Sequence, residues 1–345
     1  MLVLPADLRH VHALVGPLAR TLSDRRAVYS AAAELLTGEA PADESILDSP
    51  FVRHCLGQVL GGAAGIVDLT TPEMVSCVSI GELDLFCGPH RAEVFDPVVR
   101  RLTDDLRREG ALEELTVSTT DHEGFSASVE MLAAGLRLLE ECAPDLAADL
   151  LPHISLVAFV RPSGRLGSAS FKDYPGLIVL PEPQSASEVA EALAHEGAHV
   201  KFFDLDLTRG LLAPSRIPAP AFAPSWRSAA APWPFAQCLA AFHAYRCIAA
   251  VASTLSEAVH PGSLMPEAEQ RADELARWLG QNAGDHLSAA GIVFVRALGV
   301  DVGLVAPVER ARGRDPDGAI VRDCGERRLV VVAGRPIELF WVRKG

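Results

Sequence analysis

The sequence predicts a predominantly α-helical α+β fold, and three observations carry that expectation. Ala- and Leu-rich stretches occupy 8–37, 92–109 and 126–150, with apolar positions recurring every three or four residues. Short apolar runs at Ile154–Val160 and Leu177–Leu180 flank a Gly/Ser-rich loop and have the length of buried strands. A long helical run, Ser185 to Leu207, follows them directly, so short strands should precede the main helix.

Taken in order, residues 1–150 read as a mainly helical region, interrupted by one strand around Met74–Phe86. No catalytic constellation is visible there, and it is a candidate substrate-selecting part. His10 and His12 stand two apart, a poor spacing for sharing a metal on a helix. Asp121-His122-Glu123 reads as a solvated turn. A second region, 151–345, opens with the two strands. Its helix starts at Ser185, and Glu188 completes a capping-box spacing that would satisfy free N–H groups. The loop Leu212–Pro234 contains six prolines and is too long for a simple connector, so it is a candidate lid or active-site wall. A second helix is expected over Phe235–Ala258 and a third, with alternating charge, over Pro266–Gln281. Strand candidates close the chain at Val302–Ala306, Ala319–Arg322, Arg328–Ala333 and Ile337–Val342, with Gly334-Arg335-Pro336 punctuating a β-hairpin. No linker separates 1–150 from 151–345, so the two should pack as one compact unit.

Composition narrows the function classes. The 345 residues carry a net charge of −14, which argues against nucleic acid as the partner. Seven cysteines are scattered without a Cys-x-x-Cys pair, as expected for reduced thiols in a cytoplasmic protein. No signal segment is visible, and no run approaches the ~18 consecutive apolar residues of a membrane span.

The chemistry concentrates in His195-Glu196-Gly197-Ala198-His199. Histidines four apart on a helix project from one face, where both imidazoles can reach one metal ion. Val189, Leu193, Val200 and Phe203 form an apolar stripe that includes Glu196, and Ala192, His195, His199 and Phe202 form the stripe beside it. The motif should therefore face inward, and a divalent cation would compensate a buried ionisable cluster. A catalytic metal normally takes three protein ligands and keeps open positions. His243, in the middle of an apolar helix, is the best candidate for the third; a satisfied core histidine is the competing reading.

Four motifs in order carry a resemblance: Pro-Gly-Leu-Ile-Val-Leu at 175–180, Leu-Ala-His-Glu-Gly-Ala-His-Val-Lys at 193–201, Pro-Ser-Trp-Arg at 224–227 and Phe-His-Ala-Tyr at 242–245. Together they resemble the His-Glu-x-x-His iron(II)- and 2-oxoglutarate-dependent peptide β-hydroxylases of ribosomal peptide natural-product biosynthesis. The resemblance spans Pro175–Val251, under a quarter of the chain. It implies His195, His199 and His243 as iron(II) ligands, with 2-oxoglutarate and O2 as co-substrates. It further implies hydroxylation of a β-carbon in a peptide or amino-acid substrate. Ser225 stands where the family commonly has proline before Trp-Arg, Ala244 where glycine is frequent, and the N-terminal half matches poorly.

In that reading the distal carboxylate of 2-oxoglutarate needs a cationic fork, from Arg227 first or Arg246 second, unless these form structural ion pairs. Trp226, Trp233 and Tyr245 are candidates to line the substrate pocket, with ordinary packing as their alternative. Glu196 points ~100° around the helix from His195, so it should orient a ligand or handle a proton rather than bind the metal. The rival is a zinc peptidase, in which Glu196 is the general base. Against it, Val200 to Leu207 lacks the Gly and His of the extended metzincin pattern. A noncatalytic metal-binding protein of a biosynthetic complex is the third class.

Overall fold

The computed structural model describes residues 18–62, 74–80, 83–89, 92–108, 115–118, 123–162, 167–213, 218–227, 231–255, 260, 262–302, 320–324, 327–332 and 338–343. The fold is α+β and predominantly helical. Its helices are α1 (Leu18–Thr37), α2 (Pro50–Leu60), α3 (Asp96–Arg108), α4 (Glu123–Cys142), α5 (Pro144–Leu150), α6 (Ala186–Arg209), α7 (Phe235–Ala252), α8 (Met265–Asn282) and α9 (Ala289–Ala297). The periodic run at 126–150 is broken into α4 and α5 at Pro144, which cannot donate the hydrogen bond that would continue the first helix. Helix α7 stops at Ala252, short of the expected Ala258; there the Ser253 and Thr254 hydroxyls donate to the Ala250 and Val251 carbonyls and compete with further turns. His10, His12, Asp121, His122 and most of Val302–Ala306 lie outside the described residues.

Where one strand is expected around Met74–Phe86, two form: β1 (Met74–Ile80) and β2 (Leu83–Pro89) pair antiparallel. They continue into a six-stranded mixed sheet of order β1-β2-β4-β6-β5, with β3 (Leu115–Val117) also paired to β4. In its centre β4 (Leu156–Pro162) and β6 (Leu177–Pro181) run parallel, and β5 (Ala169–Ser170) lies antiparallel on the outer side of β6. Leu156, Ala158, Val160, Leu177 and Val179 face one hydrophobic cluster with Val98 and Leu102 of α3. Val157, Phe159, Ile178 and Leu180 face the main core with α4, α6 and α7. Burial on both faces explains why these strands read as continuous apolar runs. The strands β7 (Ile320–Cys324), β8 (Arg327–Val332) and β9 (Glu338–Arg343) form a separate antiparallel sheet, with β8 and β9 as the hairpin around 334–336.

Helix α6 is the structural axis. Ser185 caps it by accepting from Glu188 N, and the Glu188 carboxylate accepts from Gln184 N, one residue outside a standard capping box. Gly210, with φ of 61°, ends it in the left-handed conformation. Helix α4 crosses α6 so closely that a Cβ on Gly135 would lie 2.4 Å from Val189 Cβ and 2.9 Å from the Ala186 carbonyl oxygen. Gly135→Ala should therefore force the two helices apart and cost about 1–3 kcal/mol, measurable as a lower urea midpoint with the slope unchanged. The first 150 residues join the rest through this packing and through Arg25 of α1, which donates to Asp204 of α6.

Among the described residues, only α7 is long and apolar enough to cross a membrane, and 72% of it is buried inside the fold. None of Cys55, Cys142, Cys238 and Cys247 is in a disulfide.

Candidate metal centre

The middle of α6 presents His195 and His199 from one face, as their spacing requires, with Nε2 atoms 3.1 Å apart. Two nitrogens held ~2.1 Å from one ion at 90–110° stand about 3.0–3.4 Å apart, so this separation suits a shared divalent metal. Desolvation pushes both imidazoles down to about 4; the Arg271 charge adds to this at His195, and His195 adds to it at His199 against the pull of Glu196. Both rings are neutral at pH 7, which keeps their lone pairs available to a metal. The His195 Nδ1 atom is buried and meets no partner among the described residues.

Glu196 is buried beside them, with Oε1 3.9 Å from His195 Nε2. The ligand atoms of His195, Glu196 and His199 lie within 4.8 Å of one another. The carboxylate is held from the opposite side: Ser168 Oγ donates to Oε1 at 2.7 Å and Ser170 Oγ to Oε2 at 2.6 Å. Both its oxygens thus have partners on the sheet edge at β5, an arrangement suited to a fixed negative charge beside the metal pair. Neither serine stands out in the sequence except as part of a polar loop.

His243 does not join this group. It is buried on α7, donates Nδ1–H to the Ala198 carbonyl at 3.0 Å, and meets Phe294 edge-on at 5.3 Å. The reason is angular: His243 and Tyr245 lie ~200° apart around α7, and the Tyr245 side is the one that meets His195, at 6.1 Å between ring centroids. The tie to Ala198 nevertheless fixes the tautomer with the lone pair on Nε2, the form in which an imidazole binds metal.

The aromatic candidates gather as a wall. Trp226 stands edge-on to Tyr245 at 5.9 Å and to Trp233 at 5.9 Å, so the proline-rich loop packs against the site side of α7, with Trp233 behind Trp226. Both arginines expected near the site have contacts of their own. Arg246 donates to Asp273 on α8 and lies over the Phe242 ring, and Arg227 lies over Trp233 at 5.9 Å. The arginine whose charge acts on His195 is Arg271 of α8. It lies over both Trp226 and Tyr245, donates to the Tyr245 hydroxyl, and pairs with Glu267, which is 58% exposed. An (i, i+4) pair on a charged helix reads as surface decoration, so nothing in the residue pattern singles Arg271 out.

A cavity of about 450 Å³ runs along the first turns of α6 and ends at His195 and Glu196. Helix α6, the end of β6, the residues before β5 and the segment around Gly262 enclose it. No protein-family model matches the chain, and no curated protein matches it.

Proposed function

We propose that this protein is an iron(II)- and 2-oxoglutarate-dependent oxygenase that hydroxylates a carbon of an amino-acid side chain, in a peptide or a free amino acid. The observation that carries the reading is the pair of neutral imidazoles at 3.1 Å with a carboxylate beside them that is anchored by two serines. His195 and His199 would hold the metal; His243, tethered to Ala198 and outside their group, would become the third ligand only by a shift of its Nε2 toward the pair. When bound, iron(II) with 2-oxoglutarate and O2 supplies the oxidising power for an unactivated C–H bond. The chain's own residues supply the rest. Burial keeps the imidazoles unprotonated. Ser168 and Ser170 hold Glu196 in place, so that its charge faces His195 and it can keep a proton on a neighbouring donor. Trp226 and Tyr245 shield this side of the site from water. Arg271 is better situated than Arg227 or Arg246 to receive the distal carboxylate, because an exposed Glu267 is its acidic partner and a ligand carboxylate can replace it at little cost.

One observation favours a zinc peptidase instead: Glu196 Oε1 lies 3.9 Å from His195 Nε2, within reach of a group activated at the metal pair. The two readings separate on anaerobic loading with iron(II), followed by O2 and 2-oxoglutarate. Succinate formation that depends on iron is expected. Zinc-dependent cleavage of a peptide panel, with no succinate under any condition, would overturn the oxygenase.

A further inference from the structure

The cavity beside the metal pair has a one-sided charge. Glu188, Glu191, Ala192 and His195 line it at three- and four-residue spacing along one face of α6, and Glu196 closes its inner end. Donors other than lysine or arginine hold each of these carboxylates. Glu188 accepts from Gln184 N, Glu196 from the two serines, and Glu191 from Ser263 Oγ, Leu264 N and His260 Nε2. Glu191 is 5% exposed, with His260 as a titratable donor to it. Among the described residues no lysine or arginine lines the cavity or pairs with any of the three. Hydrogen bonds from neutral groups fix a carboxylate in place without cancelling its charge, and low-dielectric walls concentrate the field that remains.

From Glu188 to Glu196 the cavity follows eight residues of helix, ~12 Å, long enough for one extended side chain and the backbone next to it. Its volume falls within the ~300–1,000 Å³ of small-ligand sites. We infer that this cavity is the substrate pocket and that it takes a cationic side chain, an ammonium or guanidinium of the lysine or arginine class, with the chain directed at His195 and Glu196. The inference rests on the proposed function for its claim that bound matter is substrate, but the charge preference stands on the cavity alone. Helix α6 supplies both ends: its first turns would hold the cation, and its middle would hold the metal.

The test is binding to the full-length, chelator-treated protein, which requires neither iron nor turnover. Nα-acetyl-L-lysine amide and Nα-acetyl-L-arginine amide are titrated calorimetrically beside the norleucine and glutamate analogues. At least one cationic amide should bind, with the norleucine and glutamate amides weaker by roughly tenfold or more. Glu188→Gln keeps an amide oxygen for Gln184 N, so its fold should be intact, and it should weaken the cationic ligand roughly threefold. Glu191→Gln should weaken it further, with the thermal midpoint recorded to separate affinity from folding. Equal binding of lysine and norleucine amides, preference for glutamate, or no binding by either cation would overturn the proposal. Failure of succinate formation alongside selective cation binding would instead count against the iron reading and leave the cation preference of the cavity standing.

Discussion

His199→Ala should lower the affinity of the protein for a divalent transition metal by at least about a hundredfold, and His195→Ala should do the same. Losing a residue that only orients a ligand costs ~10–100-fold, and these two rings supply the nitrogens themselves. The geometry makes the expected loss specific. The two Nε2 atoms stand 3.1 Å apart, neither ring is protonated at neutral pH, and they share one face of a helix whose start and end are both capped. Alanine favours helix and the motif's histidines are only partly buried, so both variants should fold with little change in urea midpoint. Equilibrium dialysis against iron(II) under anaerobic conditions, with metal quantified per chain, reads the effect directly. Unaltered metal content in both variants would remove this pair as the metal site. His243→Ala belongs in the same experiment. If the His243 Nε2 lone pair is the third ligand, metal affinity falls with it. If affinity stays intact while stability drops, the Ala198-tethered ring is a core residue and the third position belongs to another donor.

The contrast between His243 and the other two histidines shows what periodicity can and cannot read. Along α6 the Ser185 cap, the inward stripe and the histidine spacing are local consequences of 3.6 residues per turn, and the structure contains each of them. The terminal hairpin and the two central strands were legible for the same reason. On α7, by contrast, Cys238 through Ile248 are buried without a break, so no stripe marks the face that meets His195. Burial of His243 was readable, but its direction was not. Ser168 and Ser170 were hidden because β5 has only two residues, too few for an alternating pattern. Arg271 was hidden because its pairing with Glu267 looks like exposed charge, while its guanidinium folds over Trp226 and Tyr245. Sequence pattern reports one element's own periodicity; the site depends on how three helices and a sheet edge meet.

Asp204→Asn should destabilise the protein by about 3–5 kcal/mol at neutral pH, the range found when one partner of a buried ion pair is removed. Asp204 lies on α6 five residues after His199, is 1% exposed, and receives Arg25 Nη1 and His153 Nδ1 on the same oxygen, each at 2.6 Å. Arg25 and Arg53 are both buried and also share Asp48, which is 27% exposed. Without the Asp204 charge, two desolvated guanidinium groups would depend on one half-solvated carboxylate. The cluster should also contribute to the acid limit of the fold. Although burial alone would raise it, the Asp204 carboxyl is held down to about 2 from 3.8 by Arg25, with His153 assisting. Burial keeps His153 below its ordinary 6.5 despite the bond to Asp204. Both groups bind fewer protons in the folded than in the unfolded protein, so both contribute stability that is complete at higher pH and lost on acidification. The loss through His153, shared with His195 and His199, whose rings burial also holds down, begins as pH falls below about 6.5, and that through Asp204 below about 3.8, ending near 2. Urea melts between pH 7 and pH 3 should therefore show stability falling in two stages. In Asp204→Asn the curve should start lower at pH 7 and show a smaller loss below pH 4, the remainder coming from Asp48. A variant as stable as the parent at pH 7, or one with the same loss below pH 4, would show that the Arg25–Asp204–His153 cluster does not hold α1 to the helix that carries the metal pair.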